Sequence, residues 1–110
     1  MLQKTEWAIE EVDAPTVNRW LDAGNAVLVD VRETNEFEAE RIGGAFLMPL
    51  SMFEGDRFPV LSDKTVVLHC AVGKRSAVAA KQLLQAGHAR AVHMVGGLNA
   101  WKDAGLPTES

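Results

Sequence analysis

A single cysteine, Cys70, stands among the 110 residues of the chain, so no internal disulfide bond can form. Any redox chemistry at this thiol must end on an external molecule, because the chain holds no second thiol to resolve it. A chain that does without disulfides is typical of a reducing compartment. We therefore expect a cytoplasmic protein.

Long apolar runs and an excess of positive charge are also missing. No run approaches the roughly 18 apolar residues that suggest a membrane span, and the acidic N-terminus lacks the apolar segment of a secretory signal. With 11 basic against 15 acidic residues and a net charge of −4, the chain is poorly suited to binding a phosphate backbone. We expect neither a membrane nor a nucleic acid as a partner.

The length and composition are those of one globular domain. Hydrophobic residues make up 47% and charged residues 24%, which argues against wholesale disorder. A second domain would have too few residues to bury a core of its own. The sequence shows no internal repeat, low-complexity tract or linker, so we predict a single domain over residues 1–110.

Short β-like runs alternate with helical patterns along the chain. Strands are predicted at residues 26–31, 65–69 and 91–95, with weaker candidates at 7–10 and 45–50. Helices are predicted from the N-cap Asp13 to Gly24, at 36–41 after a cap at Thr34 or Asn35, at 76–86, and around Leu98 and Trp101. Strands separated by helices pair in parallel through right-handed crossovers, so the predicted fold class is α/β with helices covering the sheet.

The segment that carries chemistry begins at the carboxyl end of the strand predicted at 65–69. This strand delivers Cys70 to the edge of the sheet where open α/β folds place their sites. A short loop with one glycine, Gly73, then leads into a helix, and its N–H groups form an anion-binding cradle. Lys74 and Arg75 add two positive charges, and together these features favour a reactive thiolate. The alternative is a small buried cysteine that only packs.

Three ordered motifs resemble those of small single-domain members of the rhodanese family, and the match covers nearly the whole chain. The first includes the end of a buried strand, the second is the loop in Cys-x-x-Gly-x-Arg form, and the last contains two glycines. In sequence order they are Leu28–Glu33 with Glu36-Phe37 and Arg41–Ala45, then Cys70–Ser76, then Val95–Trp101. Many relatives have histidine where this chain has Arg41, so a role for that histidine does not transfer.

The resemblance implies a doubly wound parallel sheet of about five strands with helices on both faces. It also implies a sulfurtransferase, in which Cys70 attacks thiosulfate or a similar small anionic donor and carries the sulfur as a persulfide. The acceptor would be cyanide or a thiol, including a thioredoxin-like or other sulfur-acceptor protein. No metal or organic cofactor is implied. Substrate and persulfide would be bound by the loop residues Ala71, Val72, Gly73, Lys74, Arg75 and Ser76.

Two further residues are candidates for supporting the loop. The family pattern places Asp30 and Arg32 at the carboxyl end of a neighbouring strand, close to Cys70. Arg32 is expected to bind nearby carbonyls or acids and so to hold the loop in shape. We interpret the two as a structural ion pair rather than as reacting groups.

Three alternatives stay open from the sequence. A cysteine phosphatase would place an arginine after five intervening residues, whereas Arg75 follows Cys70 after four. An arsenate reductase would need further thiols from outside the chain. A non-catalytic rhodanese-like binding module would have no use for the cysteine and the basic loop.

Several other polar residues are assigned no role in chemistry. His88 and His93 lie on either side of a predicted turn and strand with no clear third ligand, so we predict ordinary polar residues rather than a metal site. The acidic run from Glu33 to Glu40 predicts a solvated helix face.

Overall fold

Within residues 9–110, the part of the chain that this computed structural model describes, five strands form one sheet. The strands are β1 (Glu10–Val12), β2 (Ala26–Asp30), β3 (Phe46–Leu47), β4 (Thr65–His69) and β5 (Val92–Met94). All neighbours are parallel, in the order β1-β5-β4-β2-β3. The prediction of a parallel sheet of about five strands is therefore confirmed.

The apolar character of β2 and β4 follows from burial on both faces of the sheet. Successive side chains alternate between faces: Leu28 and Val67 join one hydrophobic core, while Val29 and Leu68 join the other. A strand that is covered on both sides reads as a continuous apolar run rather than as an alternating one. This is why these two strands are the clearest elements in the sequence.

Four α-helices flank the sheet within the described range, as the doubly wound prediction requires, and two short 3-10 helices, Leu50–Met52 and Gly55–Arg57, follow β3. The α-helices are α1 (Ala14–Asp22), α2 (Thr34–Ala39), α3 (Lys74–Gln85) and α4 (Gly97–Asp103). Val17 of α1 and Trp101 of α4 pack into the core on one face, and Ala79 and Leu83 of α3 pack into the core on the other. Helices therefore cover both faces of the sheet.

The helix starts show where local signals succeed and where they fail. Asp13 caps α1 as predicted, because its carboxylate accepts the Thr16 N–H at 3.0 Å. The predicted cap at Thr34 or Asn35 is wrong. Helix α2 begins at Thr34 with Glu33 as N-cap, because the Glu36 carboxylate reaches back to accept the Glu33 N–H at 3.0 Å.

Three other predicted elements also have bounds that are wrong by a few residues. Helix α3 begins at Lys74 rather than at residue 76, because Gly73 provides the turn into it. Strand β1 runs over Glu10–Val12 instead of 7–10, and residues 7 and 8 lie outside the described residues. The candidate at 45–50 forms only the two-residue strand β3 before Pro49.

The register of the central strands brings the candidate residues to one edge. Asp30 pairs with His69, and the N–H of Val31 donates to the carbonyl of His69 at 2.9 Å. Because β2 and β4 are adjacent and parallel, their carboxyl ends lie side by side. Cys70 and the Asp30 segment therefore meet at the edge where α/β sheets carry their sites.

Candidate active site

The loop that follows β4 folds back over the side chain of Cys70. The N–H of Gly73 donates to Sγ at 3.1 Å, and the N–H of Ser76 in the first turn of α3 donates at 3.3 Å. Gly73 has a φ of +104°, a conformation that favours glycine, and this allows the chain to turn directly into the helix. The sulfur is thus held by amide protons at a helix N-terminus, which suits an anion.

These contacts favour the ionised form of the thiol. Burial raises the pKa of Cys70, but hydrogen bonds from the Ser76 backbone and hydroxyl, with those from the N–H groups of Gly73 and Val72, outweigh it. The pKa of Cys70 therefore lies below the ordinary value for cysteine, and the reactive thiolate is favoured. The Cys70 residue is 0% exposed, so a reagent reaches Sγ only when the loop above it gives way.

The start of α4 also supports the loop, through hydrogen bonds to its backbone. The N–H of Leu98 donates to the carbonyl of Cys70 at 2.8 Å, and the N–H of Asn99 donates to that of Ala71 at 3.1 Å. This close approach needs Gly97, because a Cβ atom there would lie 2.3 Å from the Cys70 carbonyl oxygen. Its φ of +57° favours glycine as well. Two consecutive peptides of the loop are thereby fixed.

An ion pair ties the first turn of α3 to α2. The guanidinium of Arg75 donates to both carboxylate oxygens of Glu36, at 2.7 and 3.0 Å. These hydrogen bonds from Arg75 are the main reason that the pKa of Glu36 falls to about 2. Because Glu36 engages both terminal nitrogens of Arg75, the arginine holds the loop to α2 and offers an anion less free charge than the sequence suggests.

Glu36→Gln is expected to cost about 1 kcal/mol of unfolding free energy near pH 7, because the pair is one-third exposed and partly screened. The folded pKa lies below the ordinary value of 4.5, so the stabilisation is complete above that pH and is lost as the pH falls towards 2. Urea unfolding of both proteins between pH 7 and pH 2.5 should show the difference shrinking in that window. Glu38→Gln, on the exposed face of α2, is the control, and an equal difference at every pH would contradict the pairing.

Asp30 and Arg32 form a buried ion pair at the carboxyl end of β2. Nη2 of Arg32 lies 2.8 Å from the Asp30 carboxylate, and the two side chains are 5% and 0% exposed. Arg32 also donates to the carbonyl of Glu40 at 2.7 Å, beyond the end of α2. This geometry agrees with the interpretation of the two as a structural pair, which supports the segment that carries Glu36.

His69 lies beside Asp30 on the neighbouring strand β4. Its Nδ1 is 3.2 Å from the carbonyl of Cys70, which can only accept, so Nδ1 carries the proton. Its Nε2 is 3.5 Å from the Asp30 carboxylate and makes no hydrogen bond in the described structure. Burial lowers the pKa of His69, so the ring is neutral and steadies the backbone beside the sulfur.

The sequence that builds this site matches a known family model. The family model of the rhodanese-like domain covers residues 13–104. The chain belongs to the rhodanese-like domain family. The rhodanese-like match includes the strand that delivers Cys70, the loop, and the α4 segment that anchors it.

Curated relatives extend the family assignment. An uncharacterised protein of Synechocystis is 48% identical over 82 residues, which are 74% of this chain and 46% of that protein. The chain therefore spans less than half of that relative's length. A sulfurtransferase of Allochromatium vinosum is 31% identical and is covered over 94% of its length, with 90% of this chain. A thiosulfate sulfurtransferase, GlpE, of Actinobacillus succinogenes is 33% identical, with 78% of each protein covered.

Solved structures have the same rhodanese-like fold. The human single-domain sulfurtransferase TSTD1 superposes with a TM-score of 0.76 at 28% identity, over 84% of this chain and 95% of that one. A Rhodopseudomonas palustris protein, described as of unknown function and a possible tyrosine phosphatase, gives a TM-score of 0.80 at 30% identity, over 99% of each chain.

The candidate residues of the rhodanese-like loop differ in how closely they approach the sulfur. Gly73 and Ser76 contact Sγ directly, and Ala71 is fixed through its carbonyl. The side chains of Val72 and Lys74 are exposed around the loop, and Arg75 is paired. The catalytic roles of these residues stay predictions.

Sequence reasoning missed three contributors to the site. The acidic run was predicted to be a solvated helix face, which is wrong for Glu36 because it pairs with Arg75. His93 was assigned no role, but it lies 2.8 Å from the hydroxyl of Ser76. Gly97 belongs to the last motif, yet its contact with the Cys70 carbonyl joins residues far apart in sequence. The sequence offered one signal for these contacts: Glu36 and Arg75 have opposite charges and lie in two of the motifs that match the family.

Two kinds of feature are absent from the described part of the chain. Among residues 9–110, no group of three or more His, Cys, Asp or Glu side chains is arranged to hold a metal ion. No helix in that range is long and apolar enough to cross a membrane.

Proposed function

We propose that this protein is a sulfurtransferase that moves a sulfane sulfur from thiosulfate, or a similar small anionic donor, to a thiophilic acceptor through a persulfide on Cys70. The observation that carries the proposal is the pair of backbone N–H groups, at 3.1 and 3.3 Å, that hold Sγ. Two relatives named as sulfurtransferases, covered over most of their length, support it.

The first half-reaction forms the persulfide. The Cys70 thiolate attacks the outer sulfur of thiosulfate, the S–S bond of the donor breaks, and sulfite leaves with the bonding electron pair. The negative charge now rests on the outer sulfur of the persulfide. The N–H groups of Gly73 and Ser76 already point at Sγ, and they stabilise that charge as the donors of an oxyanion hole do.

The second half-reaction returns the enzyme to its starting state. A nucleophilic acceptor, cyanide or a thiolate, attacks the outer sulfur and leaves with it, and the Cys70 thiolate is regenerated. Electrons balance within each displacement, so a single cysteine is sufficient and no cofactor is required. An acceptor thiol would come from a small molecule or a thioredoxin-like protein, and a reducing, cytoplasmic compartment keeps both thiols usable.

The surroundings of the loop set how a donor would approach. Lys74 is exposed at the start of α3 and supplies a positive charge for a dianionic donor. Cys70 is buried beneath the loop, so the donor has to displace the loop atoms above Sγ before it reacts. We expect Val72, which is exposed and precedes the helix, to move most.

The competing phosphatase function has one structural relative in its favour, the possible tyrosine phosphatase. A phosphatase loop uses its arginine to grip phosphate, whereas Arg75 is occupied by Glu36. Assays with thiosulfate plus cyanide and with p-nitrophenyl phosphate separate the two. We expect thiocyanate to form and no nitrophenol to be released, and the reverse result would overturn the proposal.

Gly97→Ala is expected to lower kcat/KM for thiosulfate by about 100-fold, because displacing the reacting group by about 1 Å has that effect. The added Cβ would meet the Cys70 carbonyl oxygen at 2.3 Å and push the loop out of place. Gly105→Ala is the matched control, since it also has a positive φ, +77°, but faces open space. Equal losses in both variants would mean that backbone strain alone, and not the contact with the loop, is responsible.

A further inference from the structure

A row of polar side chains runs from the sulfur, past β5, to the edge strand β1. The hydroxyl of Ser76 lies 3.6 Å from Cys70 Sγ and 2.8 Å from Nδ1 of His93, and Nε2 of His93 lies 3.2 Å from the carboxylate of Glu11. Ser76 and His93 are 0% and 3% exposed, whereas the Glu11 side chain is 62% exposed. The row therefore connects a buried sulfur to a solvated carboxylate.

The protons along this row can be arranged in two ways. With a neutral thiol, S–H donates to the Ser76 oxygen, the Ser76 O–H donates to Nδ1 of His93, and Nε2–H donates to Glu11. With a thiolate, the Ser76 O–H donates to the sulfur and Nδ1–H of His93 donates to the Ser76 oxygen. A hydroxyl that donates and accepts at once is suited to both arrangements.

One proton transfer converts the first arrangement into the second. The thiol proton passes to the Ser76 oxygen while the Ser76 proton passes to Nδ1 of His93. No electron changes hands, and the products are a thiolate and an imidazolium whose charge faces Glu11. The Gly73 carbonyl, at 3.3 Å from the Ser76 oxygen, is a competing acceptor but is more distant than Nδ1.

We infer that Ser76 and His93 form a proton relay that ionises Cys70, and that Glu11 stabilises the relay in its charged form. Ser76 touches the reacting sulfur, whereas His93 and Glu11 act through it as positioning residues. The relay gives the proposed sulfurtransferase its nucleophile, so its purpose rests on that function, but the ionisation of Cys70 can be measured without any sulfur donor.

Other charged groups also face this row within the described residues. Arg75 of α3 lies close enough for its charge to act on the Cys70 thiolate. Asp30 at the end of β2, which is paired with Arg32, and the neutral His69 of β4 lie at the adjacent strand ends next to Cys70. All of these stay unchanged when the relay residues are replaced, so a shift in Cys70 ionisation can be assigned to the relay.

The test follows alkylation of Cys70 by iodoacetamide across a pH series, with intact-protein mass as the readout. Cys70 is the one cysteine in the sequence, so the added mass is unambiguous. His93→Asn keeps a polar group near Nδ1 but cannot ionise, and we expect the midpoint of the alkylation profile to rise by about one pH unit, a tenfold loss of thiolate below the midpoint. His88→Asn, whose ring contacts the Gly55 carbonyl instead, should leave the midpoint unchanged.

The double variant shows whether His93 acts through the serine. Ser76→Ala should raise the midpoint by itself, and adding His93→Asn should raise it no further. Should buried His93→Asn fail to fold, Glu11→Gln on the exposed carboxylate gives the second reading, a smaller rise in the same direction. An unchanged midpoint in folded His93→Asn or Glu11→Gln, or fully additive shifts in the double variant, would overturn the relay. If the midpoint shifts as expected but the wild-type protein transfers no sulfur, the proposed function is overturned and the relay is not.

Discussion

Cys70→Ser is expected to lower thiocyanate formation from thiosulfate and cyanide by at least about a thousand-fold. The hydroxyl occupies nearly the same space and can still accept the N–H groups of Gly73 and Ser76. It is, however, far from ionised at neutral pH and cannot carry a transferable sulfur. The variant therefore removes the nucleophile and leaves the cradle in place, and initial rates of thiocyanate formation measure the loss.

The folded state of Cys70→Ser has to be checked in the same experiment. Circular dichroism and thermal unfolding should match the wild type closely, because the substitution removes little volume from the core around Cys70. Residual turnover above one-tenth of the wild-type rate in a folded Cys70→Ser protein would contradict nucleophilic catalysis by this residue. Another group would then have to accept the sulfur.

Arg32→Met is expected to destabilise the protein by about 3–5 kcal/mol, because it leaves the Asp30 carboxylate buried without its partner. The two side chains share three hydrogen bonds of 2.8 to 3.1 Å, and both lie almost entirely out of solvent. Removing the arginine also frees the Glu40 carbonyl, which accepts from it at 2.7 Å. Urea unfolding at pH 7 measures the change.

Two comparisons locate the cause of that destabilisation. Asp30→Asn/Arg32→Met removes both charges and should recover part of the loss, since no ionised group is then buried alone. Arg90→Met breaks the pair with Glu10, which is about half exposed, and should cost less than about 1 kcal/mol. If Arg32→Met costs no more than Arg90→Met, the buried pair is not a main support of this edge.

The elements that local pattern determines were predictable from the sequence. Strands β2 and β4 are apolar along their length because both faces are buried, and Asp13 caps α1 through a contact only three residues away. The position of Cys70 at a strand end, followed by a glycine and a helix, is equally local. Each of these signals lies within a few residues and needs no knowledge of the tertiary structure.

The contacts that complete the site join residues far apart in sequence. Glu36 meets Arg75 across 39 positions, and Ser76 meets His93 across 17. No helical or strand periodicity reports such pairs, and an acidic run such as the one around Glu36 is most often a solvated face. They become visible only when the strand order places β2, β4 and β5 side by side.

Intact-protein mass spectrometry of the wild type after treatment with thiosulfate shows whether Cys70 takes up sulfur as a persulfide. We expect that one sulfur atom is added, that cyanide removes it, and that prior alkylation of Cys70 prevents its addition. A wild-type protein that stays unmodified, or a sulfur adduct that still forms after Cys70 has been alkylated, would contradict the persulfide mechanism.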